Sequence, residues 1–456
     1  MVTVIETTIK NDLCCGCGTC VALCPSHTLN MEWNKYGALN PVKIHDCVHE
    51  CGLCLKVCPF IDKNPNEDVI GKLLYGSRPG IQYRSETGYY VSSGVGAVAD
   101  EQRRWNSASG GLATWFLEKI LVEGIVDAVL CVKKSDDGKS LYHFFVAKTP
   151  EDVHRSAGSA YYPTEMSSVI TYVLENPGKY AVIGLPCFVK ALRLASMKNK
   201  ELRDRIIIIA GLTCGQMKNT NFTKYIAHLS GLDEEIKEVA FRCKSSDRPA
   251  NNFFFNFTGV SGKNTHFFWG GELSRVWGSR AFTLPACDFC DDIFAECADV
   301  TFMDAWLPDY RSDSRGTSLC ILRSDLISSI FTSGIDAGEI GFNNILIERV
   351  ITSQSGVVEI KRPKLAYRLY LSQSHIQKRV LPSKHLPLME RRRVAKAFMV
   401  RKAANDIYIR QKGESGRVEL EMNKLLHEGF VEKKAYFGWR ACRYVFRKVR
   451  ARIQKR

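Results

Sequence analysis

This chain of 456 residues has no apolar run near the ~18–20 residues that a membrane span needs. The longest, Ile206 to Leu212, has the length of a buried strand. The N-terminal stretch MVTVIETTIK has neither an apolar nor a basic signal region, so no signal peptide is expected. No Ser-His-Asp arrangement and no phosphoryl-transfer motif occurs. His143, His154 and His266 stand alone and are expected to be structural, so no catalytic acid or base is assigned. Excess charge is missing from most of the chain. Residues 377–456 carry 23 Lys+Arg and 7 Asp+Glu, a net of +16. The other residues carry 63−23 = 40 positive and 48−7 = 41 negative side chains, a net of −1. The basicity belongs to a C-terminal tail, and no nucleic-acid recognition fold accompanies it. Hydrophobic residues at 45% and charged residues at 24% fit a soluble globular protein, expected in the cytoplasm. The length calls for two or three domains.

Cysteine is abundant and unevenly placed. Nine of eighteen fall in the first 58 residues. Eight form two runs, Cys14-x2-Cys17-x2-Cys20-x3-Cys24-Pro25 and Cys47-x3-Cys51-x2-Cys54-x3-Cys58-Pro59. Thiolates at this spacing wrap cubane iron–sulfur clusters, and in two-cluster ferredoxins the fourth cysteine crosses to the other cluster. The expected sets are Cys14, Cys17, Cys20 and Cys58 for one 4Fe-4S cluster, and Cys47, Cys51, Cys54 and Cys24 for the other. A structural zinc site and inert thiols are the competing readings. The x3 spacing after Cys47 is one residue longer than usual, which leaves that ligand open and allows a three-iron cluster. Cys15 is not expected to be a ligand, although it could exchange with Cys14.

Along the chain, residues 1–60 read as a small ferredoxin-like module. Residues 61–105 read as a surface connector rich in turn residues. From Ser107 helical and strand patterns alternate, which implies an α/β domain over 106–325 with a mostly parallel sheet. Residues 239–269 read as an antiparallel hairpin inserted into it. Residues 326–376 read as a helical extension, and 377–456 as the basic helical tail. The expected class is therefore α/β with α+β parts.

Four further cysteines lie where elements end. Cys187 and Cys214 follow strands, and Cys287 and Cys290 form Cys-x2-Cys in a loop. Ligands gather outside the carboxyl ends of strands in open α/β sheets, so the four could share a third cluster. Cys297 is a spare candidate. Buried packing is the alternative, and it is preferred for Cys131, Cys243, Cys320 and Cys442. Ser107-Ala-Ser-Gly-Gly111 precedes a helix and could cradle a phosphate, or could be an N-cap and turn. Asp304 ends a strand and could touch a flavin edge, or could cap and pack.

The segments SASGGLATWFLEKILVEGIVDAVL, SAGSAYYPTE, GLPCFVKALR, GLTCGQMKNTNF, CDFCDDIFAECADVTFMDAW and RGTSLCILRS occur in this order. In that order they resemble the family of beta subunits of coenzyme F420 (deazaflavin) hydrogenases and dehydrogenases, over about residues 71–325. The resemblance implies an FAD-containing domain with contacts at Ser109, Gly110, Gly111, Gly184, Pro186 and Asp304. It also implies a third 4Fe-4S cluster on Cys187, Cys214, Cys287 and Cys290. Leu185, Phe188 and Met303 depart from the commonest family pattern beside that site and leave the substrate open.

The function expected from this reading is an iron–sulfur flavoprotein oxidoreductase. It would pass electrons between the clusters and FAD, which exchanges hydride with a deazaflavin or another conjugated small molecule. A role in cell-surface polysaccharide synthesis is one setting the family implies. Ferredoxin or another redox protein would be the partner. The alternative is a non-catalytic electron-transfer subunit of a larger complex. In the tail, apolar residues from Ala435 to Ile453 recur at steps of three and four amid basic ones. Such a helix could dock peripherally on an anionic membrane face or pack on the protein itself.

Overall fold

The structure is a computed structural model that describes residues 2–48, 51–135, 138–372, 378–411 and 416–426. The chain opens with a π-helical turn, Ile5–Ile9, and a four-residue helix, Thr19–Ala22. The antiparallel hairpin β1 (Leu29–Trp33) and β2 (Leu39–Lys43) follows, then a second short helix, Leu53–Lys56. Each short helix starts inside a cysteine run. Gly18 opens the first at φ +77°, and a Cβ there would lie 2.9 Å from the Ser167 N. This cysteine run therefore lies directly against the α/β domain.

A small hairpin, β3 (Gln82–Arg84) and β4 (Gly88–Tyr90), leads into the main sheet. Its strands are β5 (Ser92–Val98), β6 (Ala128–Lys134), β7 (Tyr142–Ala147), β8 (Tyr180–Gly184) and β9 (Ile206–Leu212). After a separate antiparallel meander of β10 (Ile236–Cys243), β11 (Phe254–Gly259) and β12 (Asn264–Phe268) come β13 (Val300–Asp304), β14 (Ser318–Leu322) and β15 (Ile340–Asn344). The eight-stranded order is β15-β5-β14-β13-β9-β8-β6-β7. The centre, β13-β9-β8-β6, is parallel, as expected for strands with near-continuous apolar runs such as IIIIAGL. Antiparallel strands extend it on both sides.

The segment expected as a surface connector contains the helix Glu67–Tyr75 and the internal strand β5. The glycines of β5 are not turn signals. Gly94 leaves the space that the Phe342 ring fills, and Gly96 lies against the β15 backbone. The segment expected to be helical past 325 contributes β15 at the sheet edge. The expected hairpin is a three-stranded meander, with Phe255 and Phe257 alternating onto its buried face.

Helices Leu112–Val122 and Asp325–Asp336 cover one face of the sheet. Trp115 and Phe116 meet Phe331 at ring-centroid distances of 5.3 and 6.1 Å. Helices Ser167–Glu175 and Pro186–Lys198 cover the other face. Val4, Leu23, Val57 and Phe60 of the N-terminal segment belong to that same core. The first 60 residues are thus fused to the α/β domain through shared apolar burial. The first part of the tail also folds. Helix Leu388–Arg410 lays Val400, Ala404 and Ile407 on the meander, and Met422 and Leu426 join them. The amphipathic segment 435–453 lies outside the described residues. Among those described, no helix is long and apolar enough to cross a membrane.

Candidate electron-transfer site at the sheet edge

The three parallel pairings point the carboxyl ends of β6, β8, β9 and β13 to one sheet edge. Gly184 ends β8, Pro186 and Cys187 follow it, Cys214 follows β9, and Asp304 ends β13. The four family-region cysteines converge there. The charge of Cys214 is opposed by Cys287, Cys187 and Cys290 after burial itself, which pushes its thiol far up. Burial pushes Cys287 up to about 11, although the Met217 N–H, 3.3 Å from its sulfur, works the other way. Buried thiolates repel one another unless cations take the place of their protons, so this set suits a cationic guest. Lys361 donates 3.1 Å to the Cys290 Sγ from within the protein. Cys297 stands apart, its carbonyl taken by Arg193 Nε at 2.9 Å.

Cys14, Cys17, Cys20 and Cys58 line one small cavity, together with Val4, Thr8, Pro41 and Phe60. Burial pushes Cys14 up to about 12 and Cys58 to about 11. The Thr8 hydroxyl lies 3.4 Å from the Cys58 sulfur. Cys58 therefore reaches the first run's set, as the crossed pattern requires. Cys54 feels the charges of Cys24 and Cys51. Cys47 sits toward Lys43, whose charge it supports, and residues 49–50 before Cys51 lie outside the described residues. Among the described residues no three such donors group tightly enough for a single metal ion.

The two buried sets adjoin. Pro59 and Phe60 wall both the cavity of the first run and a second cavity lined by Cys187 and Cys290. The Cys15 thiol lies near both Cys17 and Cys187. Their proximity, together with burial, pushes its own pKa up, and its proximity to Cys17 pulls that thiol down. The residue read as a bystander thus bridges the two sets. Adjacency to Cys14 was the only sequence signal for it.

The Ser107–Gly111 loop lies at the same edge but is turned inward. The Gly110 N–H donates to the Ser318 Oγ at 3.0 Å, and its carbonyl accepts from the Val98 N–H at 2.9 Å. A Cβ on Gly110 would lie 2.6 Å from the Gly96 O and 2.7 Å from the Ser318 N. Gly110 is a close-packing glycine, so its backbone is not an open phosphate cradle. Gly110→Val is expected to separate β5 from β14, costing ~1–3 kcal/mol or more by overpacking. Thermal unfolding should show a lowered midpoint and not a selective cofactor loss. The Ser109 hydroxyl donates to the Thr317 carbonyl at 2.8 Å. Gly111, at φ +84°, starts helix Leu112–Val122.

Sequence reading missed the cations of this loop. Arg242 forks onto Asp304 at 2.6 and 2.9 Å and donates to the Ala108 carbonyl at 3.0 Å. Its guanidinium also lies over the Phe253 and Trp306 rings. Lys244 donates to the Ser109 carbonyl at 2.8 Å. Burial, then Arg242 and Arg104, pull Lys244 down to about 7. These residues lie in the meander, far in sequence from the loop they grip. His154 lies 3.6 Å from Glu118, and His266 packs edge-on to Phe254 and Phe268; both are exposed.

An α/β fold with thiol sets and cations gathered at one carboxyl edge has the outline of a component of a redox system. The chain belongs to the family of coenzyme F420 hydrogenase/dehydrogenase beta subunits: the N-terminal family region matches residues 95–171 and the C-terminal region 178–346. It is 21% identical over 314 residues to one subunit of the F(420)H(2) dehydrogenase of Methanosarcina mazei, spanning 67% of this chain and 79% of that one. It is 25% identical over 334 residues to the coenzyme F420-dependent sulfite reductase of Methanocaldococcus jannaschii, spanning 70% of this chain and 45% of that one. A chain of the F420-reducing NiFe hydrogenase complex from Methanosarcina barkeri superposes with a TM-score of 0.49 at 17% identity, covering 64% of this chain and 96% of that one.

Proposed function

We propose that this chain is an iron–sulfur electron-transfer subunit of a larger redox complex. The observation that carries the reading is the abutment of two buried thiol sets across Pro59, Phe60 and Cys15. The related proteins named as subunits or as one part of a longer reductase favour this role over a free-standing enzyme. Cys14, Cys17, Cys20 and Cys58 would hold one 4Fe-4S cluster, Cys24, Cys47, Cys51 and Cys54 a second, and Cys187, Cys214, Cys287 and Cys290 a third. Such clusters carry single electrons. The protein's own part is to bury the sulfurs, exclude water and keep the sets adjacent. Cys51 is exposed, so the second set is the end that a ferredoxin-like donor or partner protein can approach. The test is reduction of the anaerobic protein by reduced ferredoxin and, separately, by reduced deazaflavin. Electrons entering only from the protein donor support a relay. Rapid reduction by free deazaflavin supports an enzyme.

A second reading adds FAD at the same edge, with a small hydride partner such as the deazaflavin or a polysaccharide precursor. The loop at β14 and Cys187 at β8 are three strand spacings apart, ~14 Å, which leaves room between them for a conjugated ring. Ser109, Gly111, Gly184, Pro186 and Asp304 would line it, and Arg104, Arg242 and Lys244 supply positive charge for a diphosphate. A bound flavin would exchange hydride on one side and single electrons on the other. Lys244 loses its proton as pH rises through about 7, so an anionic ligand should be held better below that pH than above it. Flavin retained on gel filtration should therefore fall between pH 6 and 9. In Lys244→Met it should be low and independent of pH. Retention unaffected by pH and by this substitution would place the flavin elsewhere.

A further inference from the structure

The loop bearing Cys287 and Cys290 is gripped by cations from one helical segment. The Lys361 Nζ donates 2.6 Å to the Asp292 carbonyl as well as 3.1 Å to the Cys290 Sγ. The Arg362 Nη1 donates 2.6 Å to the Asp291 carbonyl, and the Arg368 Nε 2.6 Å to the Asp288 carbonyl. Lys361 is 1% exposed. All three follow the family-matched residues, which end at 346. Of the three, Lys361 makes the contact with a sulfur. The corresponding sulfur contacts in the first set are neutral groups, the Thr8 hydroxyl on Cys58 and the Gly16 N–H on Cys14.

We propose that Lys361 is a potential-setting residue, which raises the reduction potential at Cys187, Cys214, Cys287 and Cys290 above that at Cys14, Cys17, Cys20 and Cys58. This inference rests on the three-cluster reading above. A reduced cluster carries one more negative charge than an oxidised one. A buried ammonium on a ligand sulfur therefore stabilises the reduced state. With clusters bound, one electron would leave the first set, oxidising it, and would enter the third, reducing it. An external low-potential one-electron donor restores the first set. Electrons from the N-terminal segment would run downhill into the family domain.

The test is a redox titration of full-length protein followed by electron paramagnetic resonance, with iron content measured in parallel. One charge-assisted hydrogen bond corresponds to a roughly tenfold to hundredfold change in the one-electron equilibrium, ~59–118 mV. In Lys361→Met one midpoint should fall by that amount while the others hold. Lys361→Arg should restore most of it. Lys361→Gln, which keeps a neutral donor, covers the case in which the Met variant loses iron, and should give a smaller fall. Arg368→Met, which removes a carbonyl contact alone, should leave the midpoints in place. Unmoved midpoints at full iron content in both Lys361→Met and Lys361→Gln would overturn the proposal. So would an equal fall in Arg368→Met, because looseness of the loop would then be the cause. Wild-type protein with fewer than three reducible clusters would instead sink the reading on which it rests.

Discussion

Cys58→Ala is expected to strip about four irons from a chain holding about twelve, and they should be the same four that Cys14→Ala removes. Cys58 belongs to the second run by sequence but shares its cavity with Cys14, Cys17 and Cys20 of the first. Its thiol is buried, with the Thr8 hydroxyl 3.4 Å away. The double variant Cys14→Ala/Cys58→Ala should therefore lose no more iron than either single one. Cys54→Ala should remove a different cluster, because Cys54 keeps company with Cys24 and Cys51. Iron analysis and the resonance spectrum of the dithionite-reduced variants separate these outcomes. Additive losses from Cys14 and Cys58 would mean that each run holds its own cluster without crossing.

Arg379→Ala is expected to cost ~3–5 kcal/mol of stability, the usual penalty for stripping one partner from a buried ion-pair network. The Arg379 side chain is 7% exposed and forks onto Glu296 at 2.5 and 2.9 Å. It also reaches Asp68 at 3.0 Å, Asp291 at 3.4 Å and Glu67 at 3.6 Å. Glu296 and Asp291 are 1% exposed, and Glu67 is 6% exposed. Removing the guanidinium leaves these carboxylates facing one another with Lys190, Arg362 and Lys378 as remaining cations. Urea unfolding followed by circular dichroism should show the midpoint falling. Arg379→Lys should recover part of the loss, since it keeps the charge without the fork. A change below ~0.5 kcal/mol in Arg379→Ala would mean that the network is not a structural clasp.

The α/β alternation was legible because buried parallel strands write themselves as apolar runs. The run Ile206 to Leu212, read as a buried strand, is β9. β5 was not legible, because SSGVGAV packs through the absence of side chains, and glycine reads as a turn. The cysteine sets were legible in their spacing. Their mutual placement was not, since it depends on helix Pro186–Lys198 sharing a core with the first 60 residues. The loop at Ser109–Gly111 lies at the carboxyl edge of the parallel strands, where its small residues serve close packing. Arg242, Lys244 and Lys361 gave only a charge in the sequence. Their roles come from contacts with residues 62–140 positions away.

The central claim is that the family domain carries its own cluster beside an N-terminal pair. It is tested most directly by iron and sulfide analysis of anaerobically purified full-length protein, alone and with Cys187 and Cys214 both changed to Ala. The wild type should hold about twelve irons and about twelve sulfides per chain, and the double variant about eight of each. Equal iron in the two proteins would contradict the account.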